Sequence, residues 1–281
     1  FQQRAMRHAL ERGGMQAEDL DLVLAGDLLN QCAASNFALR NQPFSVAGLY
    51  AACATMGEGL ALAAMLLQGG AAHVAAAVTS SHYCTAERQY RMPLPYGSQR
   101  CPTAQWTATA AGCCIVGRAS EGPYVTHITR GRIVDLGVTD MTNMGAAMAP
   151  AACDTLQALF RETNTGPGDY DLIVTGDLGS VGHDLVVELF RREGVELARY
   201  TDCGLLLYDR EAQDMHAGGS GCGCSAAVLN GFLLGGLRQK RWKRILFAPT
   251  GALLSPTSSF QGESIPGICH AVVLAADKED A

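Results

Sequence analysis

The chain has 281 residues, 48% hydrophobic and 17% charged, with a formal net charge of −6. That length allows one large α/β unit or two domains around an extensive core. The acidic balance and the lack of a basic stripe argue against a nucleic-acid partner. The most apolar stretch, 59–67, ends at Gln68 and two glycines, far short of a membrane span.

In chain order, an amphipathic helical pattern over 4–12 precedes a short aliphatic strand at 21–27, Asp-Leu-Val-Leu-Ala-Gly-Asp. A nearly all-apolar helix over 53–67 leads into a strand at 73–79, with a further strand near 107–117. The pattern then returns. A strand-like run at 124–135 and a helix over 153–163 precede Asp-Leu-Ile-Val-Thr-Gly-Asp at 171–177, 150 positions after its counterpart. A helix over 221–237 leads into a strand at 244–250, and a last strand follows near 269–275. Aligning Val74 with Ile245 sets Cys53 opposite Cys224.

A period this long is too great for a solenoid and reads as a duplication. The expected architecture is α/β, with two βαβαβ halves at 1–119 and 120–281 in a five-layered αβαβα arrangement. The two apolar helices form its shared middle, because both their sides must be dry. The first half starts directly at its helix, so the strand that would match 124–135 is expected to be absent from this sequence.

Eleven cysteines are scattered. Cys113 and Cys114 are adjacent, and Cys222-Gly223-Cys224 has no second pair nearby, so free thiols and no metal site are expected. The densest basic cluster, Arg238, Lys240, Arg241, Lys243 and Arg244, reads as a solvated helix end running into a strand.

A Cys at the start of a buried helix, in Leu49-Tyr50-Ala51-Ala52-Cys53-Ala54-Thr55, is similar to the nucleophile segment of the thiolase and ketoacyl-synthase superfamily. Longer runs resemble one branch of it, the stage V sporulation protein AD family. These are 85–91, 102–107, 139–150, Gly218-Gly219-Ser220-Gly221-Cys222-Gly223-Cys224-Ser225-Ala226 and 261–267. The resemblance implies the thiolase-like fold and no cofactor. It implies a protein that binds dipicolinic acid and works with membrane proteins of an uptake complex loading that compound into developing spores. It also implies a homodimer, for which the Ala- and Val-rich strand 73–79 is the expected contact, and a place in the cytoplasm or peripherally at the forespore inner membrane.

Cys53 is the sharpest chemical candidate, since a thiol at a helix start can be activated by the helix dipole; an inert buried Cys is the competing reading. Set against the family's enzymes, the acid–base partners are missing. Where ketoacyl synthases carry Pro-His-Gln-Ala-Asn, this chain has Gly176-Asp177-Leu178-Gly179. Ser264 stands where thiolases have their second Cys, and Cys269 falls several residues later. Binding is therefore expected in place of catalysis, with a Cys53-dependent acyltransferase and a scaffold with a vestigial pocket as alternatives. A flat dianion calls for Arg, for N–H groups at helix starts and for apolar walls. The expected contacts are Cys53, Gly219, Gly221, Cys222, His82, His183, His216 and Arg88, with Arg91 and Arg100 as further cations on the same irregular segment.

Overall fold

A computed structural model describes residues 1–88, 100–119 and 121–280. The first half runs α1 (Gln2–Gly13), β1 (Leu22–Asp27), α2 (Ala33–Leu39), β2 (Ser45–Gly48), α3 (Thr55–Gln68), β3 (Val74–Ser81), α4 (Tyr83–Ala86), β4 (Trp106–Thr107) and β5 (Ala110–Gly117). The second runs β6 (Tyr124–Arg130), α5 (Met144–Thr163), β7 (Leu172–Thr175), α6 (Gly179–Arg192), β8 (Tyr200–Asp202) and α7 (Cys203–Leu207). It continues with β9 (Gly219–Ser220), α8 (Cys222–Val228), α9 (Leu234–Arg238), β10 (Arg244–Ala248), β11 (Thr250–Ala252), α10 (Pro256–Phe260) and β12 (Gly267–Ala275).

The strands form two main sheets. One has the order β2-β1-β3-β5, parallel except for β5. The other places β8, β7 and β10 side by side in parallel, with β12 antiparallel to β10 and β6 on its far edge. The 150-position repeat is thus a repeat of β1 and β7. In the second sheet β6 covers β12; no described strand covers the corresponding edge of β5.

Five layers follow from which faces are apolar. Met6 of α1 and Leu39 of α2 pack on Val23, Ala76 and Val78, closing the outer face of the first sheet. Leu156 and Leu159 of α5, with Val186 and Phe190 of α6, close the outer face of the second on Ile173, Leu246 and Val273. Between the sheets, Met56 and Leu60 of α3 join Val228, Leu229, Leu233 and Leu237 in one cluster with Ala77, Val174, Phe247 and Val272. Its side chains are dry because they face a sheet on each side. The expected middle helix at 221–237 is a single rod in three parts, α8 and α9 being joined by a π-helical turn at Leu229–Leu233.

Three details differ from the sequence reading. Helix α5 begins nine residues before the expected Cys153, at Met144, where the Asn143 side chain accepts from the Ala146 N–H (3.3 Å), and it continues through Pro150. The run at 124–135 is a strand only to Arg130, with Val134 returning for one bridge to Gly267. Strand β3 lies inside its sheet, hydrogen-bonded by β1 on one side and β5 on the other. It therefore has no free edge for the strand-to-strand dimer contact expected at 73–79.

Candidate functional site

The site lies where the C-terminal ends of β7 and β10 meet the start of α3. Local geometry there is set by Ala52, whose φ of 48° is in the left-handed region. An alanine in that region is strained by about 1–3 kcal/mol and persists only if its surroundings hold it. They do so here. The Ala51 N–H donates to Thr55 Oγ1 (3.1 Å), Thr55 Oγ1 donates to the Ala52 carbonyl (2.7 Å), and the Ala54 N–H donates to the Ala51 carbonyl (3.0 Å). The turn is seated on Gly251, where an added Cβ would lie 2.2 Å from the Ala51 carbonyl oxygen. Cys53 emerges from this turn 8% exposed.

The Cys53 thiol lies beside the carboxylate of Asp177, two residues beyond β7 and fully buried. Asp177 also accepts from Thr250 Oγ1 (2.9 Å), Ser220 Oγ (3.1 Å) and the Gly221 N–H (3.1 Å). Gly221 reaches this position with φ of 99°, and a Cβ there would come within 2.6 Å of Ser81 Oγ.

Burial pushes Asp177 up to about 6, opposed by the neighbouring Cys53 thiol and by its bonds to Gly221 and Thr250. Burial first, and then the Asp177 charge, push the Cys53 thiol well above its ordinary value of 9.0. At rest the proton therefore stays on sulfur, because burial and the neighbouring carboxylate both disfavour the thiolate.

The other expected residues divide clearly. Gly219, Gly221 and Cys222 are beside Asp177, but their groups are turned inward. The Gly219 carbonyl accepts from Gln105 Nε2 (2.9 Å), and Cys222 Sγ donates to the Ser80 carbonyl (3.1 Å). The N–H groups of Gly221 and Gly223 are taken by Asp177 and by Ser81 Oγ (3.0 Å). The helix start at α8 thus has its own carboxylate in the place where a ligand was expected.

The three histidines have partners elsewhere. His82 Nδ1 accepts from the Cys84 N–H (3.2 Å) and caps α4. His183 stacks on Tyr200 (4.7 Å between centroids) beside Asp184. His216 Nδ1 meets the Cys101 carbonyl (2.9 Å) and its Nε2 meets Asp214 (3.1 Å). Arg88 is exposed, and Arg91 falls outside the described residues. Ser264 Oγ donates to Asp135 (2.6 Å), and Cys269 Sγ donates to the Ala248 carbonyl (3.6 Å).

Arg100 is different. Its side chain is 8% exposed, lies over the Trp106 ring at 4.4 Å, and donates through Nη2 to the Asp214 carbonyl (2.5 Å); its Nη1 is buried with no partner among the described residues. Trp106 in turn stacks on Tyr83, at 4.1 Å and nearly coplanar. The strip that carries Arg100 is zipped to 217–220 by Ala217 N–H to Ala104 carbonyl (3.1 Å), Trp106 N–H to Gly218 carbonyl (2.8 Å) and Ala108 N–H to Ser220 carbonyl (2.9 Å). Gln105 on the strip also donates to the Asp177 carbonyl. The strip therefore passes the end of β7 at Asp177. A separate surface groove of about 540 Å³ between α1 and α2 contains none of these residues.

Asp177, Ser220 and Thr250 were not among the expected site residues. The signal for Asp177 was in the repeat: both 21–27 and 171–177 end in Gly-Asp, and each Asp is buried at its strand end. Asp27 holds the N–H and hydroxyl of Ser35 (2.7 and 2.6 Å).

This architecture is shared with condensing enzymes. OleA of Xanthomonas campestris bound to cerulenin matches with a TM-score of 0.66, over 98% of this chain and 78% of that one, at 15% identity. The 3-oxoacyl-(acyl carrier protein) synthase III FabH of Pseudomonas aeruginosa PAO1 matches with a TM-score of 0.61, over 99% and 83%, at 16% identity. At such identities the likeness establishes the fold alone, and that fold is thiolase-like. Residues 1–275 match the family Stage V sporulation protein AD, and that protein from Bacillus subtilis (strain 168) is 43% identical over 270 residues, 96% of this chain and 80% of the relative. The chain belongs to the Stage V sporulation protein AD family and is a sporulation protein with a thiolase-like fold.

Proposed function

We propose that this chain binds dipicolinic acid (pyridine-2,6-dicarboxylate) in the thiolase-type cleft at Cys53, without chemical turnover, within the complex of membrane proteins that loads the compound into developing spores. The observation that carries the reading is the Cys53–Asp177 pair: the nucleophile position is kept, while burial and the adjacent carboxylate hold its thiol protonated at rest. Support for an anionic ligand comes from Arg100, whose buried guanidinium has a donor without a partner among the described residues. A charge-assisted bond to a ligand carboxylate would satisfy it.

Calorimetric titration with dipicolinate tests this, alongside intact-mass spectrometry after incubation with a short acyl-CoA. Wild type is expected to bind dipicolinate and to remain unacylated. Cys53→Ala should weaken binding tenfold or less, the loss of one weak hydrogen bond of about 1 kcal/mol. Arg100→Gln should weaken it by roughly ten- to a hundredfold, as for a bond to a charged group. A stoichiometric acyl adduct that disappears in Cys53→Ala would establish the acyltransferase instead. Neither binding nor an adduct would leave a scaffold.

The homodimer belongs to the same reading, with its contact moved from β3 to β2. That strand forms the outer edge of its sheet, is largely exposed, and presents Val46 at 43% exposure close to Tyr50 at 49%. An apolar edge of this kind is protected when a twofold copy extends the sheet. Sedimentation at micromolar concentration should give a dimer that Val46→Lys converts to monomer; a wild type that is monomeric throughout would refute the contact.

A further inference from the structure

At the end of β10 opposite the site, Arg238, Lys240, Arg241, Lys243 and Arg244 place five cations within seven residues, with no acid among them, on a chain of net charge −6. Their surroundings are not those of a merely solvated helix end. Arg244 is held inward over the Tyr170 ring at 5.1 Å, and Lys240 is paired with Asp277 at 2.7 Å. Arg238, Arg241 and Lys243 are exposed. Beside them Phe232, 39% exposed, meets edge to face at 5.4 Å the ring of Trp242, which is half-buried against the middle core, and the Arg241 guanidinium lies 5.5 Å from both rings.

Aromatic rings at a protein surface among arginines and lysines match the chemistry of an anionic bilayer surface. The cations meet lipid headgroups while the rings sit at the boundary between headgroups and acyl chains. No described helix is long and apolar enough to cross a membrane, so contact of this kind would be made from the surface. We infer that the Phe232–Trp242 pair, with Arg238, Arg241 and Lys243, is a docking face for anionic lipid. Charge complementarity selects the anionic bilayer, since the rest of this acidic chain is repelled by it. The site at Thr250 lies at the other end of the β10–β11 run, about 20 Å away along the strand. A molecule docked in this way would direct its cleft away from the bilayer.

Co-sedimentation with vesicles tests the assignment, using phosphatidylcholine alone and phosphatidylcholine with 30% phosphatidylglycerol as the two probes. The intact chain is expected to bind the second, to leave the first in solution, and to be released by high salt. Arg241→Gln with Lys243→Gln should weaken binding roughly thirtyfold, at about a factor of five per cation. Phe232→Ser should weaken it while leaving the salt dependence intact. The control is Arg191→Gln with Arg192→Gln, which removes the same charge from α6, where both arginines are paired with Glu188. Equal binding to both vesicles, no binding to either, or an equal loss in the control would overturn the inference. The last two results would point to an acidic protein partner and to net charge alone, respectively.

Discussion

Asp177→Leu is expected to destabilise the fold by about 4 kcal/mol, measured by urea unfolding at pH 7. Leucine fills the space but accepts nothing, so the Thr250 and Ser220 hydroxyls and the Gly221 N–H lose a buried acceptor together. Each buried donor left unmet is destabilising by roughly 1–3 kcal/mol, and some of the loss is recovered if the hydroxyls rotate to other acceptors. Asp177→Asn keeps an acceptor oxygen and should lose much less.

The two variants also separate charge from geometry. Asp177 titrates at about 6 in the fold against an ordinary carboxylate value of 3.8. The folded protein thus holds this proton more tightly than the unfolded chain. Its contribution is fully present below pH 3.8 and is lost as pH rises through 6, on the order of 3 kcal/mol in all. Asp177→Asn should abolish that component. His270, whose burial takes it from 6.5 down to about 4, works in the opposite sense: its contribution is present above pH 6.5 and is lost as pH falls toward 4. In wild type the two trends oppose each other over pH 4–6. The Asn variant should therefore lose stability on acidification more steeply than wild type, and an unchanged slope would show that Asp177 titrates normally.

The second large effect is expected at Gly251→Ala. The added methyl would lie 2.2 Å from the Ala51 carbonyl and 3.1 Å from the Ala54 nitrogen, both backbone atoms of the strained turn that presents Cys53. Neither side can yield easily, because β11 is paired with β12 through Gly251 and Ile268 and the turn is tied by Thr55. Overpacking of this kind is destabilising by about 3 kcal/mol. Gly168→Ala, where no atom lies within 4 Å of the new Cβ, should be neutral to slightly stabilising. Equal midpoints in urea for the two variants would mean that the turn is softer than its hydrogen bonds imply.

Much of the architecture was legible because duplication states it twice. The matching runs at 21–27 and 171–177 gave the strands, and the apolar helices could only be dry between two sheets. What was illegible had local causes. Gly145 and Pro150 hide the first turns of α5, since both disfavour a helix interior even though the alanines between them favour one. Strand β3 reads as an apolar strand whether it is an edge or a centre, and only pairing decides between them. At the site, Cys53 stood out from its neighbours, but Asp177 looked like the polar end of a strand. Its three donors lie 43, 44 and 73 positions away, a convergence that no short-range pattern records. Arg100 was one of several arginines until burial and the Trp106 ring distinguished it.

The shared middle layer limits how the two halves can diverge. Met56 and Leu60 of the first half pack in one cluster with Val174, Phe247 and Val272 of the second. An enlarged side chain in one copy therefore needs room in the other. On the outer faces α1 and α5 each pack against a single sheet, so a change there is answered within its own half. Between the sheets a volume change in either half is passed directly to the packing of the other, whereas the strand ends at Asp177 and Asp27 lie outside that shared interior.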